Sequence, residues 1–334
     1  TWVLLIALRR ALRQRGAFKE HQEPDLKRWL DLTAIGTVAD VVPLKGLNRA
    51  IVRHGIEVIR AGARLGVDTL RDVAKVERDT FKASDIGFKL GPRINAAGRI
   101  AHAGMGVELL TSVDVQQARH TASAIETQNL ERCGIQDRVM ESVFATVESD
   151  PRLSERRSVV LADPDWHPGV LGIVASKVAE RYHRPTILMT VEDGVAKGSA
   201  RSIRGFKLVD ALREVDDLLL KYGGHDHAAG LTLAVENVTK LSEAFDAHAH
   251  RVLTPDQLVA RIEADAVLPL SEISFSLIEE LNQLAPHGMG NRSPLFLATH
   301  VDILDRRAVG ADKRHLKLTL DAGRPLDAIA FSMA

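Results

Sequence analysis

One cysteine, Cys133, stands in a chain of 334 residues. A lone thiol closes no disulfide within the chain and builds no thiolate cage for a metal, which suits a reducing cytoplasm. Net charge is missing as well: 44 Lys and Arg face 44 Asp and Glu. That balance gives no support to a protein that is basic all over, and it leaves room for a local basic groove. Long apolar runs are absent too. A membrane helix needs roughly 20 mostly apolar residues, and the run from Trp2 to Ala11 is far shorter. Arg9, Arg10 and Arg13 come at its end, the reverse order of a secretion signal. No internal repeat or low-complexity segment is evident.

What is there is an α/β pattern. Hydrophobic residues make up 45% of the chain, enough for two or three packed cores. Helical spacing opens the chain at Val3, Leu4, Ala7 and Leu8. A second helix is predicted over Gly46–Ala61, with Ile51, Val52, Ile56 and Ile59 inward. Residues 107–149 hold few breakers and predict long, largely exposed connecting helices. After Pro151 the pattern becomes strand, helix, strand and hairpin, at residues 158–162, 169–183 and 186–190 with a turn at Asp193-Gly194. From Thr254 onward it is strand-like at 261–266, 297–303 and 315–320, around a helix at 274–284. The chain opens on Thr1 inside a helical pattern and ends inside a strand-like run, so it reads as a piece of a longer protein.

Five segments carry candidate chemistry. The most informative is Gly223-Gly224-His225-Asp226-His227-Ala228-Ala229-Gly230, which the pattern sets between a helix and a strand. Glycines let backbone N–H groups approach an anion, and the imidazole adds a donor, so phosphate is the natural ligand. Asp40 follows Gly36-Thr37-Val38-Ala39 and precedes Val41-Val42-Pro43-Leu44. A carboxylate buried there calls for a hard cation such as magnesium or manganese; the same spacing also suits a helix cap or a turn. Gly91-Pro92-Arg93-Ile94-Asn95-Ala96-Ala97-Gly98-Arg99 offers guanidinium forks for phosphate, or loop arginines paired with carboxylates. Ser199 and Arg201 lie two apart on a strand and share a face, which suits an end phosphate or a solvated sheet surface, the reading given to Arg204. Asp165-Trp166-His167-Pro168-Gly169 opens a helix whose N-terminus favours anions. Trp166 either stacks on a base or packs inside.

In order, these strings resemble the RecJ family of single-stranded-DNA-specific exonucleases, within the DHH phosphoesterase superfamily. The matching stretches are residues 32–44, 91–99, 166–176, 198–202 and 223–230, together with Leu284-Ala285-Pro286-His287-Gly288-Met289-Gly290-Asn291. They cover essentially the whole chain. Other DHH proteins share the glycine–glycine–histidine loop and are not expected to share the last string or the β domain after it. The resemblance implies a layout of α/β type. Residues 1–104 form the second half of a catalytic DHH domain, 105–150 connecting helices, 151–252 the DHH-associated domain, and 254–334 an incomplete OB-like β-barrel.

The same resemblance implies a metal-dependent 5′→3′ exonuclease of recombination and repair, with two manganese or magnesium ions that activate water. Its substrate is single-stranded DNA with a 5′ phosphate. Single-strand-binding protein and a helicase are the implied partners, with no membrane. Asp40 matches the last metal-binding carboxylate. Ser199 and Arg201 match positions that hold the 5′ phosphate. His225, with Gly223 and Gly224, matches the loop that faces the metal centre. Arg93, Asn95 and Arg99 match a motif near the DNA. The Asp-His-His triplet itself is not in the chain, and Asp40 alone cannot hold two hard cations, so the chain is expected to be inactive by itself. Arg292 stands where the family usually has proline and is expected to alter only a loop. Two rivals remain. One is a DHH phosphodiesterase of short oligonucleotides, which would not need the β domain. The other is a non-catalytic strand-binding protein.

Overall fold

The computed structural model describes residues 1–100 and 103–334; the side chains of 97, 99, 100, 153 and 154 lie outside the description. In chain order the helices are α1 (Trp2–Gln14), α2 (Leu30–Ala39), α3 (Gly46–Ala61), α4 (Leu65–Val73), the single turn α5 (Ala83–Asp85), α6 (Gly91–Ile100), α7 (Gly104–Thr111), α8 (Val115–Ser149) and α9 (Pro151–Glu155). Strand β1 (Val159–Ala162), α10 (Pro168–Tyr182), β2 (Thr186–Glu192), β3 (Val195–Arg201), α11 (Leu208–Arg213), β4 (Leu219–His225), β5 (Ala228–Ala234) and α12 (Val238–Val252) follow. The last elements are β6 (Ala266–Val267), α13 (Phe275–Asn282), β7 (Phe296–Leu297), β8 (Ile303–Val309), β9 (His315–Asp321) and β10 (Pro325–Ala330). No described helix is long and apolar enough to cross a membrane. The chain forms two compact units. One comprises residues 64–77 and 89–261, the other 1–63, 78–88 and 262–334.

The unit of residues 64–77 and 89–261 is built on a five-stranded sheet in the order β1-β2-β3-β5-β4. Only β1 and β2 run parallel; the other pairs are antiparallel. The parallel step needs a crossover, and α10 supplies it. Its start has Pro168 at the first turn and His167 as N-cap, whose Nδ1 accepts from the Gly169 N–H at 3.1 Å. The β2–β3 turn is the predicted one: Asp193 and Gly194 both have positive φ, +50° and +75°, as a two-residue hairpin matching the sheet twist requires. One sheet face buries Ile187, Met189, Ala196, Leu231 and Leu233 against Leu212, Leu241 and Phe245 of α11 and α12. The opposite face buries Leu188 under Val170, Leu171 and Val174 of α10.

Helix α8 is a single 35-residue rod, about 50 Å long at 1.5 Å per residue. Asp114 caps it by accepting from the Gln117 N–H at 2.8 Å. The expected exposed connector is only half exposed. Ala118, Ala122 and Ile125 are buried, as are Val139 and Val143 further along, the latter pair packing with α10 and Trp166. One amphipathic stripe thus serves two packing surfaces.

In the other unit, α2 packs across α3 at close range. A Cβ on Gly55 would come within 2.4 Å of Ala34 Cβ and Leu30 O. The C-terminal part corrects two expectations. Of residues 261–266 only Ala266 joins a strand, and 297–303 is not continuous: β7 ends at Leu297 and β8 begins at Ile303. His300, with φ +54°, breaks the run. As expected of an incomplete barrel, the strands do not close. They make a β8-β9-β10 antiparallel sheet and a separate β6–β7 pair. Within residues 264–334 only Pro286 is buried, so this β segment has little core of its own.

Candidate nucleic-acid interface

Register decides which side chains share a surface, because paired residues on neighbouring strands point to the same face and alternate residues to opposite faces. On β3, β5 and β4 three cross-strand rows follow: Arg201–Ala228–His225, Ser199–Gly230–Gly223 and Lys197–Thr232–Lys221. All three lie on the face opposite the α11–α12 core. Ser199 is also paired with Leu188, so this is the face that α10 covers over β2. Over β5 and β4 it is open: Gly230, Gly223, Lys221 and His225 are exposed. The glycine–glycine–histidine string is therefore not a loop after a helix, as its composition suggested. It is the end of a hairpin whose turn is Asp226-His227.

The two adjacent glycines do different work. A Cβ on Gly224 would meet Ala228 O at 2.4 Å and Ala229 Cα at 2.5 Å, and its φ is +150°; this glycine is needed by the hairpin backbone. A Cβ on Gly223 would meet nothing within 4 Å. Its absence leaves the face bare rather than making the fold possible. Two residues along the same strands stand Lys197 and Lys221, both exposed and without an ion-pair partner among the described residues. Sequence reading passed over them. The signal that finds them is the strand period, since Lys197 is two before Ser199 and Lys221 two before Gly223.

Arg201 is held in place. Its Nε donates to Ser176 Oγ of α10 at 3.1 Å and its Nη1 to Ala200 O at 2.8 Å. Gly172 of α10 makes room for it: a Cβ there would lie 2.6 Å from Arg201 Nη2 and 3.5 Å from Ser199 Oγ. The predicted Ser199–Arg201 pairing on one face is observed. Arg204 is exposed in the turn after β3, not on the sheet face.

Other sequence candidates take different positions. Trp166 is buried, with 4% of its surface exposed, and its Nε1 donates to Ser142 Oγ at 3.2 Å. It belongs to the buried cluster of Val139, Val143, Val170 and Val174, so base stacking by Trp166 is corrected to a core role. Arg93 and Asn95 lie on α6, a helix rather than a loop. Arg93 pairs through Nε with Glu126 Oε2 at 2.6 Å and donates from Nη1 to Lys89 O, so its charge is already matched. Asn95 is exposed. The side chain of Arg99 lies outside the described residues.

Asp40, in the other unit, closes α2 as its C-cap residue and is exposed. The expected burial in an apolar setting is not found, because the helix ends there and the chain turns out through Val41 at φ +55°. Among the described residues no group of three or more His, Cys, Asp or Glu stands together as a metal site would require. A single exposed carboxylate does not fit a two-cation centre. Arg292 does more than vary a loop: it donates to Glu263 O at 3.1 Å and pairs with Asp265 Oδ1 at 3.0 Å.

Comparison with known proteins adds identity to this geometry. The DHHA1 domain model matches residues 156–251, the sheet and its helices, and the RecJ OB domain model matches residues 264–334. Over 99% of the chain, the single-stranded-DNA-specific exonuclease RecJ of Escherichia coli is 38% identical. Along nearly its whole length this chain is similar to RecJ. The RecJ of Bacillus subtilis is 39% identical over 91% of the chain. The crystal structure of RecJ in complex with Mn2+ from Thermus thermophilus superposes on 97% of the chain with a TM-score of 0.82 at 33% identity, and one with Mg2+ gives 0.81. The chain spans 59% of the Escherichia coli relative, 39% of the Bacillus subtilis one and 46% of the Thermus structure with Mn2+.

Proposed function

We propose that this RecJ-like chain supplies the strand-binding part of a 5′→3′ single-stranded-DNA exonuclease of recombination and repair in the cytoplasm. Residues 151–252 act as the DHH-associated substrate domain and 254–334 as the OB-like domain, with 1–104 contributing to the catalytic domain and 105–150 connecting. Ser199 and Arg201 hold a 5′ phosphate. Gly223 and His225 present an open surface to the neighbouring backbone, Gly224 shapes the hairpin that holds them there, and Asn95 and Arg99 contact the strand elsewhere. The observation that carries the reading is the bare sheet face, where a serine and an anchored arginine stand beside an exposed imidazole over two glycines. An extended phosphodiester can lie close to such a face, and the cations beside it match its charge.

Manganese or magnesium belongs to the exonuclease reading, and Asp40 is the residue here that would take part in holding it. The described residues do not complete such a site, so strand binding is the activity assigned to this chain alone. Single-strand-binding protein and a helicase are proposed as partners of the whole enzyme. The test is a titration of the chain with 5′-phosphorylated and 5′-hydroxyl single strands at rising salt, with manganese-dependent degradation followed in parallel. Tighter binding of the phosphorylated strand, falling steeply with salt, and no degradation supports the reading. A flat salt response, or no preference for the 5′ phosphate, overturns the assigned face. Degradation abolished by Asp40→Ala overturns the statement that the chain lacks a complete metal site.

A further inference from the structure

The string 285–291 is the one sequence motif that strand binding leaves unexplained. It lies within the unit of residues 1–63, 78–88 and 262–334, and the protein fixes it firmly. Arg49 Nη2 donates to three successive carbonyls, those of Gln283 at 3.1 Å, Leu284 at 2.9 Å and Ala285 at 3.3 Å. Asn291 Nδ2 donates back to Leu284 O and Pro286 O at 3.0 and 2.9 Å. The Leu44 N–H donates to Met289 O at 2.7 Å. A loop held at so many points presents its remaining side chains rigidly. One of them is His287, whose Nδ1 is buried without a hydrogen-bond partner among the described residues.

His287 lines a cavity of about 790 Å³ inside this unit. Pockets for small ligands are of this size and combine an apolar wall with a few convergent polar groups. Here Ile56, Ile278, Leu281 and Pro286 give the apolar wall, while Arg53, Arg60 and Lys82 bring three cations. Arg53 and Arg60 are seven apart on α3, two turns along one face. Arg60 spends Nε and Nη2 on Phe81 O, at 3.0 and 2.6 Å, and a carbonyl does not neutralise it. No ion pair among the described residues engages Arg53 or Lys82. One carboxylate, Glu57, opposes the three, and it lies 3.0 Å from His54 Nδ1.

An excess of cations around an orphaned imidazole calls for a polyanion, and the aliphatic wall calls for an apolar body attached to it. We propose that this cavity is a binding site for a phosphorylated small molecule of nucleotide size, with the phosphate on Arg53, Lys82 and His287 and the body against Ile278 and Leu281. The site is separate from the sheet face that carries the strand-binding proposal and does not depend on it.

The test is isothermal titration of the whole chain at low salt with deoxyadenosine monophosphate, deoxyadenosine and inorganic phosphate. The nucleotide is expected to bind saturably at one site. Deoxyadenosine and inorganic phosphate are each expected to bind at least about tenfold more weakly, the loss of one charge-assisted contact or of a buried ring. Arg53 and Lys82 are exposed, so Arg53→Ala with Lys82→Ala should fold normally and weaken the nucleotide by about tenfold or more. In Lys197→Ala with Lys221→Ala the affinity should be unchanged, and single-strand binding separately reports the sheet face. Absence of saturable binding, an unchanged affinity in the Arg53/Lys82 variant, or a loss confined to the Lys197/Lys221 variant would each overturn the site. Inorganic phosphate binding as tightly as the nucleotide would overturn the apolar half of the assignment.

Discussion

Arg201→Ala should convert a strand-binding surface that distinguishes 5′ ends into one that does not. The guanidinium is fixed by Ser176 Oγ and Ala200 O, so its ordering cost is already met before DNA arrives. A charge-assisted contact to phosphate contributes about 1.5–3 kcal/mol. At about 1.4 kcal/mol per decade, the 5′-phosphorylated strand should lose roughly 10- to 150-fold in affinity and the 5′-hydroxyl strand far less. Folding should suffer little. Ser176 Oγ keeps its bond to Gly172 O at 3.0 Å, and Ala200 O loses one donor, worth about 1 kcal/mol. Gly172→Ala is the companion test, because the new Cβ would crowd Arg201 Nη2 at 2.6 Å while helix propensity gains up to about 1 kcal/mol. That variant should melt no lower than the parent and still lose part of the end preference. Fluorescence anisotropy with paired oligonucleotides that differ only at the 5′ end measures both. Equal losses on the two strands, or none, would refute the role of Arg201.

The neighbouring glycines should separate folding from binding. Gly224→Ala meets backbone at 2.4–2.5 Å and should cost about 1–3 kcal/mol by overpacking, whereas Gly223→Ala should leave the melting temperature unchanged and weaken strand binding; the reverse pattern would contradict the hairpin geometry. Trp166→Ala should destabilise by about 3–5 kcal/mol, as for other buried aromatics, while Trp166→Phe should keep full strand affinity. A Trp166→Phe protein that melts normally but binds DNA poorly would restore base stacking. Asp265 is held below the ordinary carboxylate range by the Leu295 N–H first and, against its desolvation, by Arg292. A lowered folded pKa means stability that is present above the unfolded value and lost as pH falls through the folded one. Melting temperature should therefore decline in the acid range, and Asp265→Asn should flatten that decline; an identical acid slope in the variant would count against it.

Much of this molecule was legible in the sequence because it rests on local rules. The boundaries of α3 matched the periodicity, since its apolar stripe and its left-handed C-cap Gly62 are both local. The Asp193-Gly194 turn and the shared face of Ser199 and Arg201 followed from turn chemistry and the strand period. The family resemblance was likewise carried by ordered strings. The hairpin nature of residues 219–234 was harder to see, because glycines that serve a bare surface look the same as glycines that serve a loop.

Tertiary structure decided the rest. Sequence could not tell whether Trp166 faces solvent or the core, because that depends on α8 arriving from some 24 residues upstream to offer Ser142. It could not tell that Arg93 is spoken for, because Glu126 comes from a different helix. It gave no hint that Lys197 and Lys221 align across β5, because pairing register is a property of two strands and not of either. Nor did it show that the 285–291 string fixes His287 at the wall of a cavity, since the clamp is Arg49, more than two hundred residues away. Local propensity is written in neighbours along the chain, whereas a site is made by residues that only packing brings together.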